Sequence, residues 1–206
     1  MKPILEYIIS KSSKRYVIKA NNNNIDDVVF KEIKRLGYNA DLNHIDTSEV
    51  IDFSYLFCAN DFILYHHPEY KKFNCDISSW NTSNVEKMFA TFNCCNEFNC
   101  NINEWDVSKV ESFCGMFVNC KKFNQPLDKW KFPKAESTNA MFLGCERFNQ
   151  NISMWDMSKI KDTGEMFEKC KNFNQDLSNW DIRLALRIGN VSDMFANCGI
   201  EEKYKC

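Results

Sequence analysis

Large apolar residues recur along most of the chain, mostly at steps of three or four residues, with short polar stretches between them. In residues 73–97 these positions are Phe73, Ile77, Trp80, Val85, Met88, Phe92 and Cys95. Neither a helix of period 3.6 nor a strand of period 2 sustains this spacing across polar turn residues. A chain that turns repeatedly around a central axis does, because each side of the turn sends one or two side chains inward. The pattern therefore predicts a coil.

The same pattern returns every 25 residues, and three residue types mark it most clearly. The tryptophans are Trp80, Trp105, Trp130, Trp155 and Trp180, and one column of asparagines is Asn74, Asn99, Asn124, Asn149 and Asn174. The cysteine column is Cys95, Cys120, Cys145 and Cys170, continued by Cys198 after an insertion of three residues. A period of this length indicates a repeat protein whose units stack on one another.

The repeats predict an α/β solenoid of about six coils over residues 38–206. The first coil, about 38–72, carries an insertion near 60–70, and the sixth, 173–200, carries its extra residues at 183–187. Four regular coils lie between them, at 73–97, 98–122, 123–147 and 148–172. Adjacent coils are expected to pair like parallel strands about 4.8 Å apart. The best strand candidates are 85–88 and 110–113, and the Met-Phe-x-x-Cys segments are expected to form short helical or 3₁₀ turns.

Residues 1–37 lie outside the repeat and are predicted to be an N-terminal α/β cap. Residues 15–20 favour a strand, and 24–36 favour an amphipathic helix with Asn24 as its N-cap and Gly37 after its end. The expected buried face of this helix is Ile25, Val28, Val29, Ile33 and Leu36. A cap is expected because an open end of stacked repeats exposes core and strand edge.

Two repeats carry a family resemblance. Residues 148–158, FNQNISMWDMS, and 173–182, FNQDLSNWDI, resemble the BspA-like leucine-rich-repeat family, whose unit reads approximately FNQDISxWDVSxVxxMxxMFxxC. The resemblance covers about residues 38–200. It implies a leucine-rich-repeat-like right-handed superhelix used for adhesion or protein binding, with no catalytic residues. The coil at 123–147 departs from the unit, since Lys131-Phe132-Pro133 replaces Asp-Val-Ser.

Composition and charge argue against some classes of binding partner. The net charge of -2 gives no basic face for a phosphate backbone, so nucleic acid is not expected. No run of about 18 apolar residues would span a bilayer, and the N-terminus lacks the apolar run of a secretory signal. The chain is therefore expected to be cytoplasmic, with a cell-surface location implied only by the resemblance. The 11 cysteines then favour thiols over disulfides.

The repeated polar columns have two interpretations each. The asparagines are a ligand ladder or, as we favour, hydrogen-bond partners of the turn backbone. The cysteines are favoured as core thiols, since in-register Cβ atoms lie about 4.8 Å apart where a disulfide needs about 3.8 Å. No zinc-type spacing is present, so no metal and no cofactor is predicted. Asp106, Asp156 and Asp181 are expected to cap turns.

The histidines of the insertion are the one set of candidate catalytic residues in the sequence. His66 and His67 precede Glu69, a combination that suits metal binding or acid–base chemistry. No nucleophile or second carboxylate is tied to them by spacing, so a solvated surface loop is favoured. The sequence predicts no catalytic residue.

The functional prediction is a non-enzymatic protein-binding module. The positions that vary beside the presumed strands form a mixed-charge strip: Glu86, Lys87, Glu111, Ser112, Glu136, Ser137, Lys161 and Asp162. Such a strip suits a protein partner, although a merely solvated face is the competing interpretation. The alternative from another class is a structural protein that self-assembles through the ends of the solenoid.

Overall fold

The computed structural model describes residues 7–9, 16–61 and 67–206. Its helices and strands are β1 (Tyr7–Ile9), β2 (Tyr16–Asn21), α1 (Ile25–Leu36), β3 (Ile45–Glu49) and α2 (Arg183–Ile188), with 3₁₀ turns at Pro68–Lys72 and Glu202–Tyr204. Strand β2 is central in a sheet of order β1-β2-β3, antiparallel to β1 and parallel to β3. Because β3 belongs to the first coil, this sheet joins the N-terminal segment to the repeats.

The sequence located β2 and α1 correctly to within one residue. Two details of the helix were wrong. Asn24 stands at the N-cap, but its Oδ1 accepts the N–H of Asn21 at 2.7 Å and caps no helical N–H. Leu36 was expected in the core and is 43% exposed, whereas Glu32 is only 7% exposed. The carboxylate of Glu32 is buried because it has polar partners in the first coil and the cap.

Those partners form a polar cluster between the cap and the repeats. Glu32 accepts a hydrogen bond from the Tyr16 hydroxyl at 3.1 Å and another from Arg35 Nε at 3.1 Å. His44 Nε2 of the first coil lies 2.7 Å from the same carboxylate. A buried carboxylate is tolerated only with such partners, so the cluster holds α1 against the first coil.

Residues 85–88 and 110–113 do not form strands, contrary to expectation. The isolated bridges recorded between coils are Asp41 with Asp76, Asp52 with Lys87, Ser112 with Ser137, and Ser137 with Asp162, all of them parallel. Turns on either side cut each straight segment short. Before Ser112, the N–H of Val110 reaches the carbonyl of Val107 at 3.1 Å, and after it the N–H of Met116 reaches that of Phe113 at 3.1 Å. The Met-Phe-x-x-Cys segments likewise form single turns rather than helices.

Equivalent aromatic rings lie above one another in adjacent coils. The pairs Phe92–Phe117, Phe117–Phe142 and Phe142–Phe167 have ring centroids 5.6, 5.5 and 5.7 Å apart and are within 9° of parallel. A second column, Phe98, Phe123, Phe148 and Phe173, is spaced at 5.7, 5.9 and 5.8 Å. Offset stacking of this kind is favourable between aromatic rings. The core is therefore continuous from coil to coil.

Left-handed residues let the backbone hydrogen-bond from coil to coil at the turns. One column of them is Tyr55, Ala90, Gly115, Ala140, Glu165 and Asp193, with φ between 50° and 64°. The N–H of Ala90 donates to the carbonyl of Cys114 at 3.0 Å, and that of Ala140 donates to Gly164 at 2.8 Å. The coils are thus stacked and hydrogen-bonded in register. The leucine-rich-repeat-like class and the right hand of the superhelix stay predictions.

Candidate functional site

The structure brings the eight strip residues together in two adjacent columns. In the first, the N–H of Glu111 donates to the carbonyl of Glu86 at 3.0 Å, that of Glu136 to Glu111 at 3.0 Å, and that of Lys161 to Glu136 at 2.7 Å. These four residues are called the glutamate column below. The second column is Lys87, Ser112, Ser137 and Asp162.

The polar side chains of the second column contact groups close to them in the structure. Ser112 Oγ accepts the N–H of Cys114 at 3.2 Å, and Ser137 Oγ accepts that of Asn139 at 3.2 Å. Asp162 Oδ1 accepts the N–H of Gly164 at 3.0 Å. Lys87 lies 3.8 Å from Asp52. The serines and the aspartate therefore shape turns, and the charge exposed to a partner lies mainly in the glutamate column.

A second charged column runs two residues before the glutamate column. Lys109, Lys134 and Lys159, the lysine column, occupy equivalent positions in three successive coils. Lys109 Nζ donates to Asn84 Oδ1 at 2.7 Å, and Lys159 Nζ donates to the carbonyl of Pro133 at 3.1 Å. Within the described part of the chain none of the three lysines forms an ion pair. Lys109 and Lys159 lie near Asp106 and Asp156, whose pKa values are lowered by serine hydrogen bonds and, in addition, by these lysine charges, but they make no direct ion-pair contact with them.

A groove of about 700 Å³ separates the two columns. Glu111, Glu136 and Lys161 line one side of it, and Lys134 and Lys159 line the other. The remaining lining residues are Pro133, Ala135, Ser158 and Leu184.

Two sequence differences between the coils lie in the lining of this groove. Ala135 stands where other coils have Val85, Val110 and Ile160, so a branched side chain is missing there. Leu184 comes from α2, the helix that the insertion in the sixth coil forms.

A smaller pocket of about 330 Å³ adjoins the groove. Trp130, Phe132, Pro133 and Met154 give it apolar walls, and Lys131, Asp156 and Lys159 give it charged edges. The Met154 residue is 86% exposed, an unusual position for a large apolar side chain. Pro133 and Lys159 line both cavities. The departure at 131–133 and the insertion at 183–187 thus border one continuous surface.

The tryptophan and asparagine columns hydrogen-bond between coils, and Trp130 also lines the smaller pocket. Each indole Nε1 donates at 3.0–3.2 Å to a carbonyl of the preceding coil: Trp80 to Leu42, Trp105 to Ile77, Trp130 to Ile102, Trp155 to Leu127 and Trp180 to Ile152. Each asparagine Oδ1 accepts the N–H of the next asparagine at 2.8–3.0 Å, in the pairs Asn74–Asn99, Asn99–Asn124, Asn124–Asn149 and Asn149–Asn174. Asn174 Oδ1 accepts the N–H of Glu201 at 2.9 Å.

Four members of the cysteine column are buried, and their thiols donate to carbonyls of the preceding coil. The distances are 2.8–3.0 Å for Cys95 to Phe57, Cys120 to Phe92, Cys145 to Phe117 and Cys170 to Phe142. Burial raises the pKa of each of these thiols far above its ordinary value. Cys198 departs from the column, since it is half-buried and 3.9 Å from the carbonyl of Phe173.

Comparison with known proteins identifies a family. The chain matches a family described as "Mycoplasma protein of unknown function, DUF285" over residues 27–147 and 134–203. The chain belongs to the DUF285 family. No curated protein and no solved structure gives a significant match. The matched residues of this DUF285 protein include the groove and both charged columns.

The structure describes only part of the candidate histidine site. His66 lies outside the described residues. His67 stacks on Phe30 of α1 at 4.4 Å, with Nδ1 3.9 Å from Glu69 Oε1. This packing against α1 differs from the expected solvated loop. Over residues 7–9, 16–61 and 67–206, no group of three or more His, Cys, Asp or Glu residues could hold a metal ion.

The three aspartates after tryptophan accept the N–H two residues further on: Asp106 from Ser108 at 2.9 Å, Asp156 from Ser158 at 3.0 Å and Asp181 from Arg183 at 3.2 Å. In the described part of this DUF285 protein, no helix is long and apolar enough to span a membrane.

The lysine column was not predicted from the sequence, although it follows the same 25-residue period as the other columns. These lysines precede the presumed strands, whereas the predicted strip lies beside them.

Proposed function

We propose that this DUF285 protein is a non-enzymatic protein-binding module whose contact surface is the groove with its glutamate and lysine columns. The observation that supports it is the convergence of both departures from the repeat, at 131–133 and 183–187, on this surface. In repeat proteins the recurring positions stack the units, and extended faces of the stack bind partners. Tryptophan, asparagine and cysteine are used here for stacking, which leaves the charged columns for recognition.

The wider proposal is that the stacked coils form a leucine-rich-repeat-like, right-handed superhelix of the BspA-like type. The repeat unit FNQDLSNWDI at 173–182 supports it, as does the in-register stacking of equivalent residues. The same resemblance supports a role in adhesion or host interaction.

Charge reversal in the groove tests the binding function. The immobilised protein is used to capture partners from a host lysate, and the Lys134→Glu variant is compared with Lys72→Glu, which reverses an exposed lysine outside the groove. We expect Lys134→Glu to abolish capture of a partner that Lys72→Glu retains, with the same melting temperature in both. Capture that is equal for both variants would refute the groove as the contact surface.

The second candidate function is self-assembly through the last coil. In the preceding coil, the N–H groups of Glu165, Phe167 and Lys169 donate to the sixth coil at 2.8–2.9 Å. The equivalent N–H groups of Asp193, Phe195 and Asn197 have no partner among the described residues. Such a row of free donors can pair with another chain. Light scattering across a concentration series tests it: an increase in mass that Phe195→Pro removes supports assembly, and a constant monomer mass rejects it.

A further inference from the structure

The lysine column differs from several other lysines of the repeats because its members form no ion pairs with the described residues. Several lysines of the repeats pair with a glutamate one coil away, as Lys122 does with Glu97 and Lys129 with Glu104. Lys109, Lys134 and Lys159 form no ion pair within the described residues, and neither does Lys131 at the edge of the smaller pocket. Lys131, Lys134 and Lys159, none of them in an ion pair with a described residue, therefore border one surface, on which Asp156 is a nearby carboxylate. A cluster of like charges on a surface raises the local concentration of ligands of opposite charge.

The same surface offers an apolar seat beside these charges. The smaller pocket is walled by Trp130, Phe132 and Pro133, and Met154 extends over it with 86% of its area exposed. Methionine adapts its shape to a bound side chain because it is unbranched and polarisable. The volume of about 330 Å³ is at the lower limit of ligand sites. It suits one apolar side chain rather than a large cofactor.

The length of the groove fits a short stretch of extended chain. The groove reaches from Glu111 in the third coil to Leu184 in the sixth, which spans three coil-to-coil steps. At about 4.8 Å a step this distance is about 14 Å, or about four residues of an extended peptide at 3.3 Å each. A phosphate backbone carries a charge at every unit and would place some of it against the glutamate column, whereas a peptide can confine its carboxylates to the lysine column.

We propose that the groove binds an extended acidic segment of a protein partner, with its carboxylates toward Lys134 and Lys159 and one apolar side chain in the pocket beneath Met154. This rests on the proposed protein-binding function and specifies the chemistry of the partner. Carboxylates facing the lysine column gain charge-assisted hydrogen bonds, and the apolar side chain fixes the register of the segment.

Fluorescence polarisation with labelled synthetic peptides tests the proposal. The probe is a short peptide in which acidic residues alternate with serine around one central leucine, so that the carboxylates of an extended chain share one side. Matched probes replace the acidic residues by glutamine, or the leucine by glycine. We expect saturable binding of the acidic leucine peptide, binding at least about tenfold weaker for both matched peptides, and loss of affinity at high salt. A single-stranded oligonucleotide is the competing probe, and tighter binding of it would overturn the proposal.

Variants link the binding to the groove. Lys134→Glu and Lys159→Glu are expected to abolish binding, and Lys134→Gln is expected to weaken it with less risk to folding. The matched control is Lys72→Glu, which reverses an exposed lysine in the 3₁₀ turn Pro68–Lys72 that forms no ion pair with the described residues. Equal binding by Lys134→Glu and Lys72→Glu would overturn the proposal. If Lys134→Glu still blocks capture of a partner from the lysate while the acidic peptide does not bind, the protein-binding function stands and this inference fails.

Discussion

The side-chain oxygen of Asn99 accepts a hydrogen bond from the backbone N–H of Asn124, 2.9 Å away and one coil further along the chain. Asn124 repeats the arrangement with Asn149, also at 2.9 Å. The N–H groups at this corner therefore find acceptors in the preceding coil rather than in their own turn. A single residue type, placed once in each repeat, thus satisfies the backbone of the next repeat.

Asn124→Leu is expected to lower stability. The substitution removes the acceptor of the Asn149 N–H and of Gln150 Nε2, which lies 2.9 Å from Asn124 Oδ1. A hydrogen bond at an exposed corner is worth about 1 kcal/mol, which corresponds to a fall of about 2–4 °C in melting temperature for a chain of this size. The control is Asn179→Leu, because Asn179 is exposed and makes no hydrogen bond to the described residues. Equal melting temperatures for the two variants would refute a stabilising role for the ladder.

Periodicity predicted much of this architecture, because one constraint is repeated in each coil. A column such as Trp105, Trp130 and Trp155 can be read from the sequence, since each indole meets the same surroundings in every coil. Helix α1 was predictable for a different reason. Ile25, Val28, Val29 and Ile33 are spaced for one face of a helix, and all four are buried.

The groove was not predictable from the sequence, because it depends on the small side chain of Ala135 and on where α2 lies relative to the other coils. Ala135 lacks the branched side chain of Val110, and α2 must lie nearby for the gap to have a wall. The burial of Glu32, and the exposure of Leu36, were not predicted for a similar reason. Burial of a carboxylate depends on partners such as His44, twelve residues away in sequence, and helical periodicity carries no information about them.

Glu32→Ala is expected to loosen the cap. The substitution removes the carboxylate that the Tyr16 hydroxyl and His44 Nε2 contact, and breaking a buried polar cluster of this kind costs about 2–4 kcal/mol. Urea unfolding measures the loss, and hydrogen exchange in Tyr16–Asn21 shows whether the cap opens first. Asp27→Ala is the control, since it removes an exposed pair with Lys31 at 3.4 Å and should change stability by under about 0.5 kcal/mol. A loss of the same size in both variants would contradict the role of the buried cluster.

Lys169→Gly is expected to stabilise the protein. Lys169 has φ of 62°, and the equivalent residue of the preceding coil is Gly144 with φ of 72°. A non-glycine residue in the left-handed region costs about 1–2 kcal/mol, of which the entropy of an added glycine takes back about half. The net gain is therefore about 0.5–1 kcal/mol, from which loss of the exposed pair to Glu168 takes a few tenths of a kcal/mol. Lys171→Gly, at a residue without positive φ, should instead lower stability. Thermal unfolding of both variants checks the difference in sign.

Alkaline pH is expected to unfold the protein through its buried thiols. Burial raises the pKa of Cys120 and of Cys145 well above the value of an exposed thiol. The folded state therefore holds these protons more tightly than the unfolded chain does. Their contribution to stability is complete below the ordinary thiol pKa, near 9, and is lost as the pH rises above it. The slope is about 1.4 kcal/mol per pH unit for each buried thiol.

Cys145→Ala separates this titration from packing. The variant should be less stable than the parent at neutral pH, because it loses the buried sulfur and its hydrogen bond to the Phe117 carbonyl. Its stability should nevertheless fall less steeply above about pH 9, because one fewer thiol ionises on unfolding. Ile152→Val also loses buried volume but contains no titrating group, so it should keep the slope of the parent. Urea unfolding at several pH values measures the slopes, and a parental slope in Cys145→Ala would show that ionisation of this thiol is not linked to folding.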